Sequence, residues 1–492
     1  MTIVRSDVAT LGPDWNKTLL NYALAVQALD KLPISHKNSW RFLAAIHGFD
    51  KDQWVFQNVI KNTDAIPVEL TDTGTNDDYG NQCQHSSWYF VSWHRGYLAA
   101  FEEIVASKVK ELTGDDWALP YWNYLDATNP NAREVPAAFL EETLPNGDPN
   151  PLNKYPRSPG FTVLRPNPGQ LDLEAMREND FLVGNDGTIG FGGGVSNFNQ
   201  FSNRAGDLER DPHNTVHGMV GGFMGDPITA GLDPLFWLHH CNIDRLWEAW
   251  MRTPGKTMVN DPQWLNGPTS RRFILPSIGG ADPGRRFTSK DTLPEGKFYR
   301  SYDDLTKGTG VTPAAIAATG VSMGPAAKQK VEPIGANAKA VQVGSSPVPT
   351  TVVMEPTAAA DGVASMGVTT PGKKVTRLYI ALDAVRGDLP SPVIEVYVNL
   401  PDGARPEDHA DLLAGSITLF GLKVASKADG PHAGNGLGFT LDITDLANRL
   451  QTAGGFDVNS IKVTLVPRTQ ISDATPVTIQ SVKVLKRTGV VS

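Results

Sequence analysis

The segment that decides the fold runs from Asp233 to Trp250: Asp233-Pro234, then LFWLHHCNIDRLWEAW. Asp233 can cap a helix, and Pro234 suits its first turn, where a missing N–H costs nothing. The residues that follow are mostly large and apolar, so this helix is expected to be central. A histidine pair there is costly to bury unless it is hydrogen-bonded or bound to metal. His239 and His240 point about 100° apart around the helix. Leu235, His239, Ile243 and Leu246 form one stripe, and Phe236, His240 and Trp247 another, so periodicity leaves open which histidine faces a metal.

The same start recurs at Asp211-Pro212-His213-Asn214-Thr215-Val216-His217. His213 and His217 are four apart, adjacent on one helical face, and can chelate one ion. A third cluster runs Cys83-Gln84-His85-Ser86-Ser87-Trp88-Tyr89-Phe90-Val91-Ser92-Trp93-His94-Arg95. His85 and His94 would lie on opposite sides of a continuous helix. They share a metal only if His85 precedes the helix, with Ser86 or Ser87 as its cap. His47 ends an apolar helix, FLAAIHGFD, just before Gly48. Two groups result: His47, His85 and His94, and His213, His217 and one of His239/His240. Three neutral imidazoles per ion, without an evident carboxylate or thiolate set, suit copper or zinc. His409 and His432 lie far downstream among different neighbours.

The 492 residues carry a formal charge of −9, with 40% hydrophobic and 20% charged residues, as in a soluble globular chain of two or three domains. The acidic balance argues against nucleic acid as a partner. No apolar run approaches the ~20 residues needed to span a membrane. Two cysteines, Cys83 and Cys241, exclude a disulfide scaffold and suit a reducing compartment. The N-terminal MTIVRSDVATLGPDW lacks the apolar core of a secretory signal, so a cytoplasmic location is expected.

Residues 1–307 read as a mainly helical domain. From Gly308 to Thr350 the composition shifts to Ala, Gly, Pro, Thr and Val, which reads as a linker over 308–350. Over 351–492 short β-type runs follow (LYIALDAV, VIEVYVNL, ITLFGLKV, GFTLDI, IKVTLV, TIQSVKVL), predicting an all-β sandwich domain, a possible lid over the histidine site.

His47-Gly48, His85-x8-His94-Arg95, His213-x3-His217 and Asp233-Pro234-x-Phe236-Trp237-x-His239-His240-x-Asn242-x-Asp244-Arg245 together resemble the tyrosinase / catechol oxidase / haemocyanin family of type-3 dinuclear copper proteins. The resemblance implies an antiparallel four-helix bundle around two copper ions. It assigns His47, His85 and His94 to the first copper (Cu A), and His213, His217 and His240 to the second (Cu B). His239 then stands behind the ligands, Phe236 packs beneath the site, and Arg95 and Asp244 brace the ligand helices. Cys83-x-His85 resembles the pattern in which thiol and imidazole are joined as a thioether. LLAGSITLF, GFTLDITDLANRL and IKVTLVPR look like the C-terminal domain of plant polyphenol oxidases, which covers the copper site, with Phe420 or Leu419 as the side chain that plugs it. The aromatic pair in Phe298-Tyr299-Arg300-Ser301-Tyr302-Asp303 resembles the motif that closes the catalytic domain.

The activity so implied is oxidation of phenols and catechols to o-quinones, with dioxygen as co-substrate. Monophenols ionise with a pKa near 10, so a base is needed within reach of the hydroxyl. By resemblance, Glu209 and Asn214 hold the water that serves. Gly218 is small, and MGDPITAGLD places Pro227 or Ile228, not a large aromatic, at the entrance, which predicts an open site that admits monophenols. A catechol or o-aminophenol oxidase without hydroxylase activity and a haemocyanin-like carrier are the alternatives. The sequence leaves the oligomeric state open, a homo-oligomer included.

Overall fold

The computed structural model of the chain describes residues 4–12, 14–71, 78–166, 169–183, 190–198, 204–280, 284–318, 321–324, 330–357, 359–360, 374–389, 391–428 and 434–490. His432 lies outside them. The helical region is built on α1 (Lys17–Asp30), α2 (Trp40–His47), α3 (Phe90–Thr113), α4 (Thr215–Val220) and α5 (Pro234–Met251). Caps set the starts. Asn16 accepts from Leu19 N, Ser39 from Phe42 N and Asp233 from Leu235 N. Gly114, at φ 77°, ends α3 in the left-handed conformation that glycine tolerates. All eighteen residues of α5 are buried, as its apolar run predicts. It packs on α3, where Trp237 stacks on Phe101 with ring centroids 3.5 Å apart. The expected regular bundle is met only as a helical core: α3 and α5 are long, but α2 and α4 have eight and six residues. None of the described helices is long and apolar enough to cross a membrane.

The chain's beginning is tied to the end of this region. Val4–Arg5 pairs in parallel with Ser301–Tyr302. Beneath the pair, Arg5 bonds Glu102 of α3 and Asp244 of α5, and Tyr302 Oη donates to Asp244.

The C-terminal part is one nine-stranded antiparallel sheet of β1 (Lys330–Asn337), β2 (Val341–Val343), β3 (Val348–Met354), β4 (Lys374–Arg386), β5 (Val393–Val398), β6 (Leu413–Thr418), β7 (Leu437–Asp442), β8 (Ser460–Pro467) and β9 (Val477–Val490). The order is β6-β5-β8-β3-β1-β9-β4-β7, with β2 also on β9. Its ends converge, for a Cβ on Gly415 of β6 would lie 3.0 Å from Leu441 of β7. The sheet therefore curls toward a barrel and is not the expected two-layer sandwich. Helices Leu422–Ser426 and Thr444–Thr452 cover it, so the part is not all-β either.

The linker reading of 308–350 is corrected too. Met323–Gly324 pairs with Met258–Val259 of the helical region, and β1, β2 and the start of β3 lie inside the sheet. Two prolines hid the strands, since proline removes a ladder donor. Pro333 is accommodated beside a register shift against β9, and Pro349 lies at the start of β3, where Val352 and Met354 turn inward.

Candidate metal centre

Each of the seven central histidines is buried. His47 closes α2, and the next residue explains its partner. A Cβ on Gly48 would lie 2.3 Å from the Pro227 carbonyl oxygen, so only glycine lets that carbonyl approach, and it accepts from His47 Nδ1 at 2.8 Å. His94 Nδ1 donates to the Phe90 carbonyl at 2.7 Å, and His217 Nδ1 to the Met224 carbonyl at 2.7 Å. A carbonyl only accepts, so in all three rings the proton is on Nδ1 and the lone pair on Nε2. Burial pushes His47 down to about 4, against the bond it donates to the Pro227 carbonyl, and drives His85, His94, His213, His217, His239 and His240 well below the usual range. Neutral imidazoles with directed lone pairs are what a metal requires.

These nitrogens gather as two groups: His47, His85 and His94 with Cys83, and His213, His217, His239 and His240. Within each, one ligand atom per residue lies within 4.8 Å of all the others. The groups adjoin, with His94 and His240 rings stacked 4.5 Å apart and His85 5.6 Å from His213. His240 Nε2 lies 3.1 Å from His217 Nε2, and its ring approaches His47 and His94 as well. The His239 ring contacts His213 and His217 of the second group, and its Nδ1 meets the Tyr124 hydroxyl at 3.1 Å. The buried His213 Nε2 has no hydrogen-bond partner. Such a nitrogen is costly unless something binds it, and this donor set fits a pair of copper ions.

The supporting residues are placed as follows. His85 precedes α3 in a turn where Ser86 has φ 49°, and Ser87 Oγ accepts from Tyr89 N, so the helix starts at Phe90. Cys83 Sγ lies 3.4 and 3.6 Å from the two ring nitrogens of His85, facing the carbon between them, and 3.3 Å from His94 Nε2. Phe236 packs on His240 at 4.1 Å and His47 at 4.9 Å. Arg95 bonds Asp244 and Glu248, clamping α3 to α5. Asp211 has the extended backbone of a helix cap before Pro212, and its carboxylate receives Leu171 N and Asp172 N. Asn214 Oδ1 accepts from His213 Nδ1 at 2.9 Å.

Glu209 could have been a surface charge by sequence, but it is buried. Both its oxygens accept from Ser86 N at 2.8 Å, and burial raises its carboxyl to about 8. No motif marked Tyr124, which lies in irregular chain.

The open entrance is corrected. Pro227 is engaged with His47, and the Ile228 carbonyl takes Trp54 Nε1, so both are packed wall. Gly218 faces Thr418 of β6. Next to it Phe420 lies over the second group, 4.3 Å from His217 and 5.7 Å from His213, and reaches His85 of the first at 5.4 Å. Leu419, the other candidate for the plug, sends its N–H to the Pro392 carbonyl and buries its side chain in the hydrophobic core.

Comparison with known proteins agrees with this layout. The family described as the common central domain of tyrosinase matches residues 37–253, and a domain of unknown function (DUF7868) matches residues 330–487. Tyrosinase HcTyr1 of Hahella sp. (strain CCB-MM4) is 32% identical over 478 residues, 95% of each chain. Catechol oxidase B of Solanum tuberosum is 30% identical over 205 residues, 37% of this chain and 33% of that protein. The structure of latent apple tyrosinase shares the fold with a TM-score of 0.60 at 20% identity, over 99% of this chain and 97% of that one. Latent aurone synthase does so with 0.61 at 20% identity, over 99% and 90%.

Proposed function

Since the chain belongs to the tyrosinase family, we propose that it hydroxylates monophenols at the ortho position and oxidises o-diphenols to o-quinones with dioxygen, on two copper ions. The observation that carries this reading is the set of backbone carbonyls that hold His47, His94 and His217 with Nε2 turned inward. His47, His85 and His94 would hold one ion, and His213, His217 and His240 the other. Bound there, the copper pair supplies the electron exchange between dioxygen and the phenol.

The protein's own part is to shape, dry and position. Phe236 and the packed wall exclude water. Asn214 orients His213. Glu209, raised to about 8, can carry a proton near neutral pH, which suits the ionisation of an incoming phenol. Cys83 faces the ring edge of His85 in the arrangement a thioether needs. The C-terminal part acts as a lid through Phe420. Substrates are small phenols and catechols, and the location is cytoplasmic.

A second reading has one observation in its favour. The site is shut by Phe420, as an oxygen carrier's would be. Oxygen uptake by the copper-loaded chain, given tyrosine and then catechol, separates the cases. Uptake with both supports the proposal. Uptake with catechol alone makes it a catechol oxidase and removes the role given to Glu209 and Asn214. Reversible oxygen binding without turnover makes it a carrier.

A further inference from the structure

Two residues of strand β6 meet the chain that supports His213 and His217. Thr418 faces Gly218, one residue past His217. Two residues back, on the same face of the strand, Ser416 Oγ accepts from Gln170 Nε2 at 3.0 Å, and both side chains are buried. Gln170 belongs to the helical region, and the residues that follow it are held from the other side. Leu171 N donates to Asp211 Oδ1 at 3.1 Å, and Asp172 N to Asp211 Oδ2 at 3.2 Å. Asp211 stands two residues before His213, in extended backbone. Where these anchors join, Leu171 has φ 49°, in the left-handed region that a residue with a Cβ avoids. A buried leucine stays there only where its surroundings fix it, and conformations of that kind gather at switch regions. Gln170, Leu171 and Asp172 therefore run from β6 to within two residues of a histidine of the second group. They are bonded at each end, with a strained residue between.

We propose that the segment from Gln170 to Asp172 is a strap through which β6 positions His213. With the C-terminal part docked, two backbone N–H groups clasp Asp211 and fix the start of the chain that bears His213. When the C-terminal part leaves, the strap slackens and the clasp loosens. Asp211 is then a positioning residue, and the C-terminal part governs how tightly the second group holds its ion as well as what reaches it. The strap follows from the protein's own bonds, and its effect on an ion rests on the two-copper reading above. The left-handed Leu171 is unfavourable, and the bonds at Ser416 and Asp211 offset it. Cutting one of them leaves the other to hold the conformation alone, so the two ends weaken together. Phe420, just past the same strand, does a different job. Its ring covers His217, while the strap steadies His213.

The first test is amide hydrogen exchange in the copper-free, full-length chain, comparing wild type with Ser416→Ala, which removes one hydroxyl. The Leu171 and Asp172 amides should exchange about fivefold faster or more in the variant, the worth of one hydrogen bond. The amides of Leu246 and Trp247 in α5 should keep their rates. Gln170→Ala, which cuts the same bond from its other side, should reproduce the result. Unchanged rates at Leu171 and Asp172 overturn the strap, and so does a rise that α5 shares equally, which would be general loosening. The second test is the affinity of the loaded chain for copper, read at equilibrium against EDTA so that access plays no part. Ser416→Ala should weaken one of two coppers roughly tenfold, the scale on which residues behind a ligand act. Phe420→Ala, which uncovers the approach and spares the strap, should weaken neither. No loss in Ser416→Ala, or the same loss in Phe420→Ala, refutes the hold on the ion. A chain that takes up no copper defeats the two-copper reading and leaves the exchange result standing.

Discussion

Phe420 of the C-terminal part lies nearly flat on His217, with ring centroids 4.3 Å apart and planes at 24°. On the proposed function, a ring in that place occupies the approach of a phenol to the second histidine group. Phe420→Ala should therefore raise the oxidation rate of the full-length, copper-loaded chain toward catechol by about tenfold or more. It should also cost stability, up to the roughly 3–5 kcal/mol of a buried Phe→Ala change. Initial rates and thermal melts of the two chains check this. Equal rates would mean that Phe420 does not gate the site.

Gly218 tests the lid from the other side. A Cβ there would lie 2.4 Å from Cγ2 of Thr418, a stiff, buried β-branched residue on β6. On the proposed lid reading, Gly218→Ala should loosen the contact with β6 and raise activity, and Thr418→Ser, which removes that methyl, should restore the wild-type rate in the double variant. Rates with and without the second change read out the coupling.

Cys83 faces the edge of the His85 ring. The thioether expected of this pair forms by loss of the thiol hydrogen and one ring hydrogen, with both electrons passing to an oxidant. The denatured, reduced chain purified after copper loading should therefore be two hydrogens lighter than its sequence mass, and Cys83→Ser should show its full sequence mass. A wild-type chain at full mass would leave Cys83 a free thiol.

Glu178 lies 3.4 Å from Arg377 and 3.8 Å from Arg487 across the seam between the two parts. Even so, burial, reinforced by Asp207, outweighs Arg487 and Arg377 and lifts its carboxyl to about 7. The folded chain then holds a proton that the unfolded chain releases at about 4.5. The stability from this group is full below about 4.5 and lost as pH rises through about 7. Glu178→Gln should flatten the fall in melting temperature over that window. A steeper fall would reverse the sign assigned here.

Much of the site was legible because its signals are local. The Asp-Pro start and apolar run from Asp233 fix a buried helix. The four-residue step from His213 to His217 fixes a shared face, and the nine-residue step from His85 to His94 forces His85 off the helix, where it is found. Features made by distant chain were not legible. Glu209 is buried against distant chain, where Ser86 N donates to it. Phe420 reaches His217 only because β6 docks at Gly218. Tyr124 sits in irregular chain that carries no periodicity to read. Strands β1 and β3 were hidden by their own prolines and β2 by its three-residue length, and the curl of the sheet depends on a contact between β6 and β7 that no local pattern encodes.

On the proposed reading, the two adjoining histidine groups hold two coppers, with His240 and not His239 in the second. Copper per chain is measured by elemental analysis after loading and gel filtration. Two ions are expected in the wild-type chain, one in His240→Ala and two in His239→Ala. A wild-type chain with fewer than two, or a copper lost from His239→Ala and kept in His240→Ala, would contradict it.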